Sequence, residues 1–260
     1  MTDTGLRSEA AAGRRAWILT NLQTVGFLSV ADLARQLGVS QMTIRRDLHT
    51  LEGAGRVRLV HGGASLTPGA LRTSAFPDDE LVRARERVAT HAVHLVDGAD
   101  TIAIDAGATG YAIARLLPEE FAGCVISHSM PVLQFLTSGR SYRVVALGGE
   151  LLPDRQAFVG PTTEAAVAQL RVRTFFVSPA GIDARGLYAR TPAEASVQRR
   201  LMDIADEVVV VATHDAFSTS APARIAPLER LATLVTDRRP PGELGCALRR
   251  VGVVPHVMAG

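Results

Sequence analysis

The chain has no lysine, so all 28 of its basic residues are arginine. A mechanism that forms a Schiff base on a lysine amine is therefore excluded. Only two cysteines are present, Cys124 and Cys246, and they are far apart in apolar surroundings without a CxxC pair. We interpret them as reduced core thiols in a cytosolic protein.

Long apolar stretches are also missing. No apolar run reaches the roughly 18 residues that a membrane helix needs, and no secretory signal sequence is recognisable. We therefore expect a cytoplasmic protein without a membrane partner. Of its 260 residues, 47% are hydrophobic and 21% are charged, which is enough to bury a substantial core.

The charge that is present is distributed unevenly along the chain. Residues 1–61 hold eight arginines against five acidic residues, a net charge of +3, whereas the remainder holds 20 against 21, a net charge of −1. The positive excess lies in the small N-terminal part, which favours a polyanionic partner for that part.

Composition and periodicity divide the chain into four segments. We expect a disordered tail at 1–12, a winged helix-turn-helix domain at 13–66, a linker at 67–79 and an α/β domain at 80–260. The last domain should contain a mainly parallel, Rossmann-like sheet, because short β-branched runs alternate with longer amphipathic stretches. The predicted buried strands are DTIAID, GCVIS, YRVVALGG, TFFVSPAG, EVVVVAT and ATLVTD.

Two short helices are predicted to lie close together near the N-terminus. Ser29 followed by Asp32 has the capping-box pattern, with aspartate in place of the usual glutamate, and Gly38 closes the helix that they open. Ser40 is the next N-cap candidate, so a second helix should run from Gln41 to about Glu52. A first helix from Arg14 to Thr24 precedes both and offers Trp17, Ile18, Leu22 and Val25 to the core.

The second helix of this pair should present its arginines to solvent. Ile44, Leu48 and Leu51 recur at i, i+4 and i+7 and predict the buried face. Arg45 and Arg46 then lie on the opposite face, which a recognition helix presents to the major groove of DNA. The alternative is a solvated face whose arginines pair with acidic neighbours, namely Asp47 or Glu52.

A glycine-broken basic ribbon follows the recognition helix. Gly55 offers a stop to the helix, RVRLV and HGGAS predict two strands, and Gly62–Gly63 permits the tight turn between them. Such a hairpin would be the wing of a winged helix and would lie along DNA phosphates. The predicted DNA-contacting residues are Ser40, Gln41, Thr43, Arg45, Arg46, His49, Arg56, Arg58 and His61.

The N-terminal motifs together resemble the DeoR family of bacterial transcriptional regulators. The motifs are Arg14–Arg15, LSVADLARQLGVS, TIRRDL, LEGAGRV and HGGA. The resemblance implies a C-terminal domain similar to sugar-phosphate isomerases and CoA transferases that binds a phosphorylated sugar or a related metabolite. The matching C-terminal landmarks are DGADTIAIDAGAT, LGG, Gly160, AGID, PAEASVQRRLM and VTD.

The residues themselves also favour a ligand pocket in the C-terminal domain. The DAGATG stretch follows a buried strand and precedes a helical run, so backbone amides at a helix N-terminus would cradle an anion. Glycines follow other predicted strands, where ligands of open α/β sheets usually bind. The predicted effector-binding residues are Asp105, Gly107, Thr109, Ser127, His128, Ser129, Gly148, Gly149, Gly181, Asp183 and His214.

Three departures from the family pattern affect this pocket. Ala108 replaces a threonine of DxGTT, Ser127–Ser129 reads SHS where TNS is usual, and Ala216 stands at the lysine position of ADxSKF. A cation that would pair with an anionic effector is therefore missing. The pocket has then gained His128 and His214 as replacement donors, accepts a less charged metabolite, or has lost its effector and serves only for assembly.

We expect a transcriptional regulator, more precisely a repressor, that binds a double-stranded operator as a homo-oligomer, either a dimer or a tetramer. A small-molecule effector would release it, and no cofactor or metal site is expected. His91 and His94 have i, i+3 spacing but lack further ligands for a metal. The alternative from another class is an isomerase-like or transferase-like enzyme that recruits Glu150, Asp183 or Glu194 as a base.

Overall fold

A computed structural model describes residues 11, 13–22, 27–53, 56–60, 62–66, 79–137 and 142–258. The chain divides into two compact units, Met1–Val82 and Arg83–Gly260. Helical residues begin at 11, inside the predicted tail, and a helix begins at Asp79, inside the predicted linker. The rest of that linker lies outside the described residues. None of the described helices has the length and apolar character that spanning a membrane requires.

The described residues at 13–66 of the first unit form helices and a small sheet. Its elements are helix α1 (13–22), strand β1 (Phe27–Ser29), helices α2 (Val30–Leu37) and α3 (Gln41–Gly53), and strands β2 (Val57–Val60) and β3 (Gly63–Leu66). The strands form an antiparallel sheet in the order β1-β3-β2. The winged helix-turn-helix prediction is confirmed, with β2 and β3 as the wing hairpin.

Local capping signals position the two helices of the helix-turn-helix. The Ser29 hydroxyl accepts the backbone N–H of Asp32 at 3.0 Å and donates to the Asp32 carboxylate at 2.6 Å. Gly38 ends α2 in the left-handed conformation with φ of 63°, which glycine adopts at little cost. The Ser40 hydroxyl then accepts the N–H of Thr43 at 3.2 Å and caps α3. Both predicted N-caps are therefore present.

The core of the first unit contains Ile18 and Leu22 of α1, as the sequence predicts. Trp17 was also offered to this core, but its side chain is 37% exposed, so that prediction is wrong. Its position next to Ile18 turns it about 100° away from the buried stripe. Val25 and the predicted helix stop at Gly55 lie outside the described residues.

Strand β1 is absent from the sequence prediction because three residues cannot establish an alternation of apolar and polar positions. Gly63 makes its pairing with β3 possible. A Cβ atom on Gly63 would lie 2.2 Å from the carbonyl oxygen of Leu28 and 2.7 Å from the Phe27 ring. The glycine therefore allows the close approach of β1 to the wing, while Gly62, with φ of 79°, makes the turn.

Replacing Gly63 by alanine should destabilise the first unit by about 1–3 kcal/mol, because the added methyl group overlaps backbone and ring atoms. Urea unfolding followed by the fluorescence of Trp17, the only tryptophan of the chain, measures this loss. Gly13→Ala is the control, since a Cβ atom there meets no other atom within 4 Å. Equal unfolding midpoints for the two variants would contradict the expectation.

The second unit is built on one large parallel sheet. The chain supplies helix α4 (Asp79–Val93), then β4 (Thr101–Ile104), α5 (Ala108–Leu116), β5 (Cys124–Ser127), α6 (Met130–Leu136), β6 (Arg143–Ala146), β7 (Glu150–Leu152), β8 (Ala157–Val159), α7 (Pro161–Val167), β9 (Val172–Val177), β10 (Gly181–Asp183), β11 (Gly186–Ala189), α8 (Pro192–Asp203), β12 (Ala205–Ala212), β13 (Ala223–Ala226), β14 (Thr233–Thr236), α9 (Gly242–Arg250) and β15 (Pro255–Val257). Short 3-10 helices cover His214–Phe217 and Leu228–Arg230.

The order of the seven parallel strands is β15-β14-β12-β9-β4-β5-β6. From β4 the chain proceeds outward to β5 and β6, and it then returns to β9 on the other side of β4. The sheet is therefore doubly wound, and the direction of winding reverses between β4 and β9. Ligands of such sheets bind at this switch point, outside the carboxyl ends of the strands.

All six predicted strands occur and are parallel, which confirms the predicted α/β class. YRVVALGG was predicted to be a buried strand, but β6 is an edge strand whose residues are exposed or half-buried. An edge strand has a neighbour on one side only, and composition does not reveal this. The prediction also lacks β15 and two short antiparallel sheets, β7-β8 and β10-β11-β13.

Helices cover both faces of the large sheet, so its central strands are apolar on both sides. Ile102 and Ile104 of β4 pack in one cluster with residues of α4, α5 and α6. Phe175 and Val177 of β9 pack on the opposite face with residues of α7, α8 and α9. Several of the buried polar residues of this unit, among them Asp105, His128 and Asp237, lie directly after strands of the sheet.

Candidate DNA-binding surface and sensor site

The outer face of α3 carries exposed arginines above a buried apolar stripe. Ile44 and Leu48 are fully buried and Leu51 is 6% exposed, which confirms the predicted inner face. Arg45 and Arg46 are exposed on the outer face. Their guanidinium groups make no hydrogen bond or ion pair with the part of the chain that the structure describes.

Asp47 does not pair with the outer arginines, because α1 supplies its partners. Its carboxylate is only 5% exposed and is bound by Nε of Arg14, with Nη1 of Arg15 at 3.5 Å from the other oxygen. The double arginine of α1 thus fastens the first helix to the recognition helix. One of the two acids considered as partners of the exposed arginines, Asp47, is therefore engaged elsewhere.

Glu52 also has partners within the first unit, one on the wing and one on its own helix. Its Oε1 accepts the backbone N–H of Leu59 on β2 at 3.1 Å, and its Oε2 lies 3.5 Å from Nδ1 of His49. The alternative in which Asp47 or Glu52 neutralises the exposed arginines is therefore not what the structure shows. Two cations remain available to a polyanion on this face.

The other predicted DNA-contacting residues lie on two elements. Ser40, Gln41 and Thr43 form the N-terminal turn of α3, where the Ser40 and Thr43 hydroxyls are 2.9 Å apart. Arg58 is exposed on β2, and Arg56 is half-buried directly before it. His61 lies outside the described residues. The wing thus contributes a second basic element beside the recognition helix.

Polar residues of the second unit gather at the carboxyl edge of the parallel sheet. Asp105 follows β4, Ser178 follows β9, and His214 follows β12. The remaining polar positions along this edge are Ser127, His128 and Ser129 at the end of β5, Gly148 and Gly149 after β6, and Asp237 after β14. Most of the predicted effector-binding residues therefore share one edge.

Asp105 is the centre of this edge and lies at the switch point between β4 and β9. Its side chain is 1% exposed. Oδ1 accepts the backbone N–H of Ala106 at 2.8 Å and faces Nε2 of His128 at 3.0 Å, whereas Oδ2 accepts the N–H of Ser178 at 2.9 Å and the Gln198 amide at 2.8 Å. One carboxylate therefore connects β4, β5, β9 and α8.

His128 contacts this carboxylate through one ring nitrogen and a backbone carbonyl through the other. Its Nδ1 lies 2.9 Å from the carbonyl oxygen of Phe158, which can only accept a hydrogen bond, so Nδ1 is the donor. Its Nε2 faces Asp105, and the ring is 1% exposed. His128 was predicted as a replacement donor to an effector, but in this structure both of its nitrogens are engaged by the protein.

The serines on either side of His128 are engaged as well. The Ser127 hydroxyl donates to the carbonyl of Ile104 at 2.8 Å and accepts the N–H of Ser129. The Ser129 hydroxyl accepts the N–H of Val132 and caps α6. The whole SHS stretch thus positions the end of β5 and the start of the next helix.

The N-terminus of α5 is open beside Asp105. Its N-cap is Gly107, with φ of 118° and no side chain to cap the helix, and a Cβ atom there would meet nothing within 4 Å. Thr109 in the first turn is 7% exposed. Among the described residues, the backbone N–H groups of residues 107–110 have no hydrogen-bond acceptor. Such a turn is suited to an anion.

Two of the predicted glycines are explained by packing. A Cβ atom on Gly149 would lie 2.1 Å from Oγ1 of Thr163, and one on Gly181 would lie 2.5 Å from the carbonyl of Thr219. Gly181 also begins β10, whereas it was predicted to end a strand of the main sheet. Asp183 belongs to the same short strand and pairs with Arg185 at 3.3 Å, away from the parallel sheet.

His214 differs from His128 because it keeps one nitrogen without a protein partner. Asp237, which follows β14, accepts the His214 backbone N–H and its Nδ1, both at 2.7 Å. Within the described residues, Nε2 of His214 has no partner, and the side chain is 29% exposed. The structure therefore orients this ring with its second nitrogen available to a ligand.

Arg85 of α4 was missed by the sequence analysis. Its side chain is 14% exposed and lies 3.9 Å from the Asp215 carboxylate, next to His214. Burial lowers the pKa of Arg85 from its ordinary value, and Asp215 partly opposes that shift. The signal was present in the sequence, because Arg85 falls on the apolar stripe that includes Val82 and Val88.

Two buried polar atoms next to Asp105 have no hydrogen-bond partner in the described part of the chain. They are Oγ of Ser178 and Oε1 of Gln198, whose neighbouring N–H groups both donate to Asp105. Buried polar atoms are nearly always satisfied in folded proteins. Both atoms therefore retain unused hydrogen-bonding capacity within the described residues.

Comparison with known families assigns both units. The model described as "DeoR-like helix-turn-helix domain" matches residues 14–68, and that described as "DeoR C terminal sensor domain" matches residues 80–238. The chain belongs to the DeoR family. It is a DNA-binding transcriptional regulator, and the second unit is its sensor domain.

Relatives of this DeoR-family chain agree with that assignment. The transcriptional repressor AccR of Agrobacterium fabrum is 31% identical over 86% of this chain and 88% of its own. A putative aga operon transcriptional repressor of Escherichia coli O157:H7 is 29% identical over 95% of this chain and 94% of its own. The glycerol-3-phosphate regulon repressor of Escherichia coli K12 is 26% identical over 88% of this chain and 91% of its own.

One solved structure with a distant resemblance to the DeoR-family chain is an isomerase. Ribose 5-phosphate isomerase A from Methanocaldococcus jannaschii is 18% identical and covers 51% of this chain and 53% of its own, with a TM-score of 0.38. At that score the likeness supports no conclusion about activity.

The enzyme alternative is not supported for this DeoR-family regulator. The relatives named above are transcriptional regulators, and the carboxylates considered as bases do not converge. Glu194 caps α8 and pairs with Arg155 at 2.7 Å, whereas Asp183 pairs with Arg185 on the small sheet. Glu150 is exposed on β7.

Proposed function

We propose that the protein is a repressor of a carbon-catabolism operon and that a small anionic metabolite, such as a phosphorylated sugar, releases it from DNA. Residues 13–66 bind the double-stranded operator, residues 80–260 bind the effector and form a homo-oligomer, and residues 67–79 join them. The names of two relatives, repressors of the aga operon and the glycerol-3-phosphate regulon, support this direction.

The observation that carries the proposal is the uncapped N-terminus of α5 beside Asp105 at the switch point. The amides of this turn bind the anionic group of the effector, with the helix dipole adding to the attraction. The unpartnered oxygens of Ser178 and Gln198 accept hydroxyl groups of the same molecule. This combination selects a ligand that carries both an anion and hydroxyl groups.

Arg85 supplies the cation whose expected place is occupied by Ala216. Because its guanidinium group is largely buried and its ion pair with Asp215 is long, at 3.9 Å, it retains donors for an anionic effector. His214 beside it adds a ring nitrogen. Arg85 of α4, far from Ala216 in sequence, thus replaces the missing lysine. The site keeps a positive charge although the lysine is absent.

Specific operator binding requires more than one copy of the chain. A single winged helix contacts only a short segment of DNA, so a dimer or a tetramer reads paired half-sites about 34 Å apart. The effector shifts the population toward an assembly in which the recognition helices no longer match this spacing. The effector then weakens operator binding by the same free energy by which the operator weakens effector binding.

Thermal unfolding in the presence of candidate metabolites tests the sensor assignment. A phosphosugar or polyol phosphate at 100 times its Kd should stabilise the protein by about 2.7 kcal/mol, because only the folded state binds it. Inorganic phosphate and the matching unphosphorylated polyols are tested in parallel, since they separate the contributions of the anion and the hydroxyl groups. The bound metabolite should also release the protein from operator DNA.

Two variants on α4 make this test specific. Arg85→Met should weaken binding of the anionic metabolite about tenfold, because it removes a charge-assisted hydrogen bond. Arg87→Met is the matched control, since Arg87 donates to the carbonyl of Met258, directly after the edge strand β15. If no anionic metabolite raises the Tm of the unmodified protein, the proposed effector site is wrong and the sensor unit serves assembly alone.

A further inference from the structure

The recognition helix carries an exposed apolar side chain among its polar ones. Met42 is 68% exposed, and the other large hydrophobic side chains exposed among the described residues are Trp17, Leu151 and Val254. Met42 contributes almost nothing to the core of the first unit. A flexible apolar side chain in this position is instead available for a partner.

Helical geometry places Met42 in line with the outer basic residues. At 100° per residue, Met42, Arg46 and His49 fall within about 60° of one another, opposite the buried face that contains Ile44 and Leu48. Met42 lies one turn before Arg46, at a Cβ separation of about 6 Å. It is therefore part of the same surface and lies nearest to the N-terminus of α3, the end that contacts base edges.

The surroundings of Met42 favour DNA over a protein as its partner. The first turn of α3 contains no acidic residue, and the nearby side chains are the polar Gln41 and the arginines 45 and 46. A surface that combines cations, a hydrogen-bonding amide and one apolar group matches the major groove, where thymine presents a methyl group beside hydrogen-bonding base edges. A protein partner would call for a larger apolar patch.

We infer that Met42 contacts the 5-methyl group of a thymine in the major groove, next to the base pair that Arg46 contacts. The protein therefore prefers a thymine at one fixed position of each operator half-site, and Met42 is the residue that determines this preference. The inference rests on the DNA-binding function of the first unit and adds a base preference that the arginines cannot provide.

Replacement of thymine by uracil tests this contact, because it removes only the methyl group. The operator is first selected from random-sequence DNA by the full-length protein, and each thymine is then replaced in turn. At one position per half-site the unmodified protein should bind about fourfold more weakly, the effect of losing one buried methyl group. 5-Bromouracil, whose bromine is close to a methyl group in size, should restore the affinity.

The variant Met42→Ala should bind the thymine operator about as weakly as the unmodified protein binds the uracil operator. It should then show no further loss with uracil, since the methyl group has no partner left to lose. Met42→Leu should keep the sensitivity, and Val254→Ala, an exposed apolar residue of the sensor unit, should leave it unchanged. Unchanged thermal unfolding of Met42→Ala confirms that it is folded.

The outcomes separate the contact from the function it rests on. Absence of any sequence-selective binding by the unmodified protein would contradict the DNA-binding function itself. Selective binding without a uracil-sensitive position, or a Met42→Ala variant that keeps the full uracil effect, would overturn the inference while the regulator assignment stands. The contact is established if Met42→Ala loses the uracil effect while Met42→Leu and Val254→Ala keep it.

Discussion

Arg46→Ala should weaken operator binding by about 1–3 kcal/mol, roughly five- to 150-fold, and should relax selectivity at the base pair it contacts. The structure gives the reason. Arg46 is exposed on the outer face of α3, and the two acids of that helix are engaged by α1, by the wing and by His49. Its guanidinium group therefore enters the groove without first breaking an ion pair.

Binding to the selected operator at several salt concentrations measures this effect. Loss of a base contact lowers the affinity for the operator much more than that for unrelated DNA, whereas loss of a phosphate contact lowers both and reduces the salt dependence. Arg171→Ala is the matched control, because Arg171 is an exposed arginine of the sensor unit paired with Asp206. If Arg46→Ala bound the operator as tightly as this control, the recognition-helix assignment would be refuted.

Asp105→Ala should destabilise the sensor unit by about 3–5 kcal/mol. The substitution removes a buried carboxylate and leaves His128, the Gln198 amide and two backbone N–H groups without their acceptor. Removing the shared acceptor of several buried donors is costly because each donor keeps its desolvation penalty. The loss should therefore be among the largest that a single substitution in this unit produces.

Urea unfolding followed by far-UV circular dichroism measures this loss, while Trp17 fluorescence follows the first unit separately. Asp203→Ala is the control, because its ion pair with Arg230 is about half exposed on both sides and contributes less than about 1 kcal/mol. Similar midpoints for the two variants would show that Asp105 does not hold the four elements together. The same variant should also lose the thermal response to an anionic metabolite.

Local periodicity was sufficient to predict which face of α3 is exposed. The spacing of Ile44, Leu48 and Leu51 decides which side of α3 is buried, so it also decides that Arg45 and Arg46 face outward. The N-caps at Ser29 and Ser40 are local in the same sense, since each bonds to a residue three positions later. The partners of Asp47 were not predictable, because they come from α1, more than 30 residues earlier.

The sensor site was predictable only in outline. Runs of β-branched residues identified six strands, and the parallel arrangement brought most of the predicted polar residues to one edge. The runs do not show that Gly149 and Gly181 are packing glycines or that Asp183 belongs to another sheet. Those outcomes depend on Thr163, Thr219 and the antiparallel pairing of β10, which are contacts between separate segments.

The sequence by itself determined the family, the two kinds of domain and the outer face of the recognition helix, because each depends on residues within a few turns of one another. Only the tertiary structure decided the roles of polar residues at the sheet edge. His128 is enclosed by Asp105 and Phe158, His214 keeps an open nitrogen, and Arg85 brings a cation from α4. The physical reason is that a polar side chain can serve a ligand only where distant segments have left its donors and acceptors unpaired.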